Sequence, residues 1–201
     1  SFRPTETDKA ILEDKTLDYR VLNLASNTFN ENNTSYWHKS IGGYHAAKLR
    51  RYQEMIEEHI SPEMSNLFKA VSEAGDMAKV DASAFSVLNM LNTRYFIFPL
   101  QGGKTMPIQN PYTLGNAWFV DKVQYVNNAN EEIESLHKVM PAKVAVVDKK
   151  FAEQVKPVAV SDSLRFVKLV AYEPNDLKYE VSSEKGGVVV FSEIYYPGWQ
   201  A

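Results

Sequence analysis

"SAFSVLNMLNTRYFIFP" (residues 83–99) is the stretch on which the architecture turns. Residues 83–92 read as a helix, and 94–99 as an apolar strand closed by Pro99. A helix that runs at once into an apolar strand is an α/β connection. Upstream, "YRVLNL" (19–24) reads as a buried strand, and Thr7 and Asp8 suit the cap of a short helix carrying Ile11 and Leu12. The stretch 25–34 holds four asparagines and reads as a loop. After Gly42-Gly43, His45, Leu49, Tyr52, Ile56 and Ile60 step by three or four along one helix face. Arg50, Arg51, Glu54, Glu57 and Glu58 lie mostly elsewhere on that helix, with Arg50 and Glu54 placed to pair. "SPEM" (61–64) reads as a new helix start, with Ser61 as N-cap, Pro62 in the first turn and Glu63 at the positive end of the dipole. That helix is expected to bury Leu67, Phe68 and Val71 and to stop by Gly75.

Downstream, "NAWFVDKVQYV" (116–126) gives more strand, and Asn128 or Asn130 caps a helix through Ile133 and Leu136. "KVAVVD" (143–148) is a short buried strand. From about residue 160 the texture changes. "LRFVKLVAYE", "LKYEVSSE" and "GGVVVFSEIYY" alternate apolar and polar residues, the pattern of half-buried antiparallel strands. Leu177, Tyr179 and Val181 share one face, Lys178, Glu180 and Ser182 the other, and "SEKGG" (183–187) supplies a hairpin turn. The expected fold is α+β. Residues 1–158 form an N-terminal α/β domain with a mixed sheet and flanking helices, and 159–201 an antiparallel β segment. No internal repeat is visible, and the last strand is expected to continue beyond "YYPGWQA", since a domain seldom leaves such an edge unpaired.

The chain has 201 residues, enough to hide roughly 70% of its unfolded surface. Hydrophobic residues at 44% and charged residues at 23% are ordinary globular composition and argue against disorder. A net charge of −3, with basic residues spread among acids, does not suit a nucleic-acid partner. There is no cysteine, which removes disulfides, thiolate metal sites and cysteine nucleophiles. "SFRPTETDKAILEDK" is charged and polar and does not read as a secretory leader. The longest uncharged run, 105–120, is broken by prolines and amides, so no segment reads as a bilayer span. We read the chain as the water-soluble piece of something longer.

Motifs for chemistry are sparse. His38 and His45 are seven apart and His59 lies fourteen further on, none at the i,i+4 spacing of a zinc helix. His45 falls on the apolar stripe as a packing residue, and His137 at a helix end reads as structural. No metal and no cofactor is expected. Gly42-Gly43 precedes a helix but lacks any phosphate-loop spacing, so it reads as a tight entry turn. No GxSxG elbow is present, and "EEIE" and "MIEEHI" read as solvated helix faces. What remains is aromatic. Tyr36, Trp37 and Tyr44 flank a polar loop, and aromatics beside amides and hydroxyls suit a sugar ring, with its apolar face and hydroxyl rim. The candidate ligand contacts are Tyr36, Trp37, His38, Tyr44 and His45, with Lys48 and Arg51 for anionic groups.

Six stretches, in order, carry a resemblance: "YRVLNL", "FNENNTSYWHKSIGGYHAAKLRRYQEMIE", "SVLNMLNTRYFI", "NPYTLGNAWFV", "AVVDKKF" and "VVVFSEIYYPGWQA". They resemble the extracytoplasmic C-terminal portion of YfhO-type bacterial membrane proteins, in the form found in Bacteroidetes. The resemblance covers nearly the whole chain and is most specific around Gly42-Gly43 and Tyr196–Trp199. It implies a many-helix membrane protein similar to the GT-C glycosyltransferases, adding sugars to cell-envelope polymers from a lipid-linked donor. It places this chain on the periplasmic face of the inner membrane, with the membrane-embedded remainder of the same polypeptide as partner. In GT-C-like enzymes the catalytic carboxylate lies in an early loop between membrane helices. No residue here matches that loop, so no catalytic residue is carried over.

Three functions follow as expectations. The first is a non-catalytic extracytoplasmic domain positioning a glycan or polymer acceptor. The second is a structural module packing on the membrane helices or on a partner protein, without sugar contact. The third, an independent hydrolase, needs two carboxylates facing one cleft at about 5–9 Å, and nothing in the sequence predicts them.

Overall fold

The computed structural model describes residues 2–43, 50–158, 163–195 and 199–200. The fold is α+β. Helix α1 (Glu6–Leu12) is capped by Thr5, two residues before the Thr7 that the sequence suggests. The Asp8 amide donates to the Thr5 hydroxyl at 3.1 Å and the Thr5 amide to the Asp8 carboxylate at 2.8 Å, a reciprocal box that satisfies two otherwise orphaned donors. Strand β1 (Arg20–Asn23) follows, then a short α2 (Asn33–Trp37) and β2 (Lys39–Ser40).

Helices α3 (Arg50–Met55) and α4 (Ser61–Ala74) are one continuous rod. The expected restart at Ser61 does not occur. Residues Ile56–Ile60 form a π turn, in which the Ser61 amide reaches back five residues to the Ile56 carbonyl. Pro62 lacks an amide proton and its ring conflicts with the carbonyl four residues back, and the wider turn accommodates it without breaking the axis. Gly75 ends the rod in the left-handed conformation, φ 68°, its amide on the Val71 carbonyl at 2.9 Å. Leu67 and Val71 are buried, whereas Phe68 is 41% exposed and stacks on Phe98. The helix expected over 83–92 is two pieces, a 3₁₀ turn (Ala82–Phe85) and α5 (Ser86–Met90), divided at Phe85.

Strand β3 (Thr93–Pro99) lies parallel to β1, and β4 (Thr105–Gln109) antiparallel to β3, giving the mixed order β2-β1-β3-β4. Alternation in the strands feeds two layers. Leu22 and Phe96 face the helices, packing with Ile56, Ile60, Leu67, Phe85 and Leu88. Val21 and Ile97 face the other way, onto Ile11 of α1. Each fully buried Leu or Phe here contributes roughly 1.5–3 kcal/mol.

The 116–126 stretch is two strands, β5 (Ala117–Val120) and β6 (Lys122–Val126), divided at Asp121. Asn128 is the cap of α6 (Ala129–Ser135), accepting from the Glu131 amide at 2.9 Å, and β6 pairs in parallel with β7 (Val144–Asp148). Strands β8 (Phe166–Glu173) and β9 (Asp176–Ser182) form an antiparallel hairpin. Tyr179 and Leu177 are half-buried there, but Val181 is 54% exposed. Residues 183–187 do not form a hairpin turn. Strand β10 (Val188–Phe191) leaves β9 and pairs antiparallel with β5, with Gly187 (φ 150°) against the Phe119 ring. The strand pairing thus crosses the boundary expected at residue 158. Among the described residues no helix is long and apolar enough to cross a membrane.

Candidate functional site

The candidates among the described residues, Tyr36, Trp37, His38 and Arg51, have separate partners. Tyr36 is 61% exposed, its ring stacked on Phe2 with 4.8 Å between centroids. Trp37 is half-buried and meets Tyr36 edge-on. His38 turns inward: its Nε2 lies 2.9 Å from Asp8 Oδ1, and only 2% of the side chain is exposed. It ties β2 to α1 and does not reach a surface ligand. Burial pushes the Asp8 carboxyl up, but bonds from Thr5 and His38 outweigh it and hold it below its usual range. Arg51 pairs with Glu132. Tyr44, His45 and Lys48 lie outside the described residues. Gly42 is needed for close passage, since a Cβ there would sit 1.9 Å from the Thr28 carbonyl oxygen. The Gly43 amide donates to that same oxygen at 2.8 Å, so it is spent on the chain rather than offered to an anion.

A concave site exists elsewhere. A cavity of about 590 Å³ opens between the π turn and start of α4, the 3₁₀ turn with α5, and the segment after α6. That volume lies within the usual range of small-molecule sites. Its polar side chains include His59, Glu63, Asn66, Asn89 and His137, and its apolar wall includes Leu114, Val139, Met140 and Pro141.

The π turn places His59. Ile56, His59 and Ile60 are all buried there, and His59 Nε2 lies 2.7 Å from the Ile133 carbonyl oxygen. A carbonyl only accepts, so Nε2 carries the proton and Nδ1 is an acceptor in the neutral ring. Burial, reinforced by the neighbouring His137 ring, holds the His59 pKa below its usual value against the pull of Ile133 and Glu58. The His137 ring lies against it, 4.1 Å between centroids and tilted by 37°.

Glu63 is a cap for another helix. Its two oxygens accept the Val87 and Leu88 amides at 2.8 and 2.9 Å, satisfying the start of α5. Burial pushes its pKa up to about 7 despite those two donors. Both oxygens are thus committed to backbone, and the other carboxylate on the wall, Glu58, is exposed. Asn89 is likewise engaged, accepting from Asn110 at 2.8 Å. The Asn66 amide makes no hydrogen bond among the described residues. Free donors and acceptors at Asn66, His137 and His59 Nδ1 beside an apolar wall can bind and orient a hydroxylated ring. On the far side of residues 138–140 an open groove carries Lys122, Lys138 and Lys143. Among the described residues no group of three or more His, Asp or Glu side chains is placed to hold a metal ion.

Sequence reasoning missed these residues. His59 sits in "MIEEHI", read as a solvated face, and its partner His137 is distant in sequence. The one local signal was Pro62 inside an otherwise unbroken helical pattern. No family model, curated protein or solved structure matches the chain.

Proposed function

We propose that this chain is the extracytoplasmic portion of a YfhO-type membrane protein and that it positions a glycan or polymer acceptor without transforming it. The sugar is held in the cavity beside His59 and His137, and not on the 36–45 loop. The observation that carries this reading is the wall of that cavity: a mainly apolar surface with free polar groups at Asn66 and His137, and its buried carboxylate, Glu63, consumed by a helix cap. Such a site offers orientation and lacks the paired free carboxylates of glycoside hydrolysis. The ordered segments shared with the YfhO type support the location, and the groove with Lys122 and Lys143 gives an extended polymer a continuation.

The test is titration of the purified chain with cell-envelope oligosaccharides, observed by NMR. Weak saturable shifts at Asn66 and His137, abolished in Asn66→Ala, with no product formed, are expected. Turnover of the sugar, or shifts confined to Tyr36 and Trp37, would refute the assignment. A second reading, a module packing on the membrane-embedded remainder of the polypeptide, draws on exposed Leu164, Phe166, Val181 and Tyr195. Absence of any glycan shift would favour it.

A further inference from the structure

Asp18 and Asn92 are the two non-glycine residues with left-handed backbone among those described, at φ 52° and 53°. They are in contact. The Asn92 side-chain amide donates to the Asp18 carbonyl at 3.1 Å, and the Asn116 amide donates to the same oxygen at 2.7 Å. Backbone strain of this kind persists only where the surroundings hold it, and it concentrates at functional positions.

What it holds is a charged cluster between the N-terminal sheet and the C-terminal strands. The Asp18 side chain is 2% exposed and accepts from Lys39 Nζ at 2.6 Å. The same ammonium reaches Glu193, two residues past the end of β10, at 3.2 Å. One ammonium thus holds the Asp18 and Glu193 carboxyls side by side. Buried Arg20 binds the Ser192 carbonyl and hydroxyl at 3.1 and 3.2 Å, and the Leu91 carbonyl at 2.7 Å. Tyr172 of β8 lies under Lys39, and Tyr179 of β9 has a buried hydroxyl with no hydrogen-bond partner. The cluster therefore spans the turn before β1, both β1 and β2, the β8–β9 hairpin and the segment after β10.

We propose that this joint is a proton-operated clasp: a proton on Glu193, which removes its repulsion with Asp18, closes the C-terminal strands on β1 and β2, and its loss loosens them. Two carboxyls crowded onto one ammonium repel when both are ionised, which favours a proton on one of them. The groups facing Glu193 are Asp18 from the turn before β1, Lys39 and Arg20 from the sheet, and Tyr172 and Tyr179 from the hairpin. Burial and then Asp18 push the Glu193 carboxyl above its ordinary range, with Lys39 and Arg20 opposing. A carboxyl raised in the closed state favours closure at low pH, and that advantage is lost as pH rises through the raised value.

Amide hydrogen exchange on this chain decides it. The Ser192 amide, which donates to Asn116 at 2.8 Å, is the reporter, and the β3 amides are the reference. After correction for intrinsic rates, Ser192 protection should fall as pH rises above the ordinary glutamate range, by roughly tenfold per unit of raised pKa. Glu193→Gln, neutral at every pH, should keep the acid-side protection throughout. In parallel, the Glu193 carboxyl carbon should titrate above free glutamate in NMR, and Asp18→Asn should bring it down. Flat Ser192 protection, an unchanged slope in Glu193→Gln, or titration at or below the ordinary value would each overturn the clasp.

Discussion

The ring of His59 lies 4.1 Å from that of His137, tilted by 37°, so the π turn of the long helix and the segment after α6 meet through two imidazoles at the cavity. The pairing makes one ring a charge sensor for the other. His137 lowers the His59 pKa, after burial, so His137→Ala is expected to move the His59 titration upward toward that of an ordinary histidine. Imidazole carbon shifts across a pH series measure this, and an unmoved His59 would show that the rings do not interact in solution. Because the His59 pKa is lowered, its share of stability is present above about 6.5, the unfolded value, and is lost as pH falls through the folded one.

Glu63 acts in the opposite direction. Its pKa is raised from the usual 4.5 to about 7, so its contribution to stability is fully present below 4.5 and is lost as pH rises through about 7. In Glu63→Gln one acceptor oxygen becomes a donor facing a backbone donor, at a cost of about 1–3 kcal/mol. Urea unfolding at several pH values should show a lower midpoint for the variant. The difference from the parent should narrow as pH rises across that window.

Asp14 fastens the loop after α1 to β3, accepting from Arg94 at 2.6 Å and from the Tyr95 hydroxyl at 2.7 Å. Burial pushes its carboxyl up, but bonds from Thr16, Arg94 and Tyr95 outweigh it and hold it well below the usual range. Its stabilisation is thus present above about 3.9 and disappears only in strong acid. Asp14→Asn is expected to lower stability by about 1–3 kcal/mol at neutral pH, with the gap closing in acid-denaturation curves.

Gly42→Ala is expected to cost about 1–3 kcal/mol or more, because the new methyl would meet the Thr28 carbonyl at 1.9 Å and backbone must yield. Chemical denaturation measures it. Gly75→Ala tests another cause, since no atom lies within 4 Å of a Cβ there and the penalty is conformational alone.

The elements read correctly from sequence are those whose causes are local. "YRVLNL", "RYFIFP" and "KVAVVD" are apolar runs of strand length, Gly75 stops its helix as a left-handed cap, and Asn128 is the natural acceptor for its helix start. Errors arose where a distant partner decides. Ser61-Pro62-Glu63 has every mark of a helix start, yet a preceding apolar face at Ile56 and Ile60, buried in the core, keeps the axis unbroken. Glu63 then serves α5 and not its own helix. Nothing in "GGVVVF" says that its partner is "AWFV" rather than the adjacent "LKYEVS". The candidate site was illegible for the same reason, its polar groups coming from separate segments that only the tertiary fold assembles.

The π turn carries one further consequence. Removing a single residue from Ile56–Ile60 would let the wide turn relax to ordinary α geometry, and because a π turn is an α-helix with one residue absorbed, the segments on either side would keep their phase. Glu63 would keep its aim at α5, and what would be lost is the widened segment that carries His59. The surplus residue thus serves the cavity wall and leaves the alignment of the rod's two ends untouched.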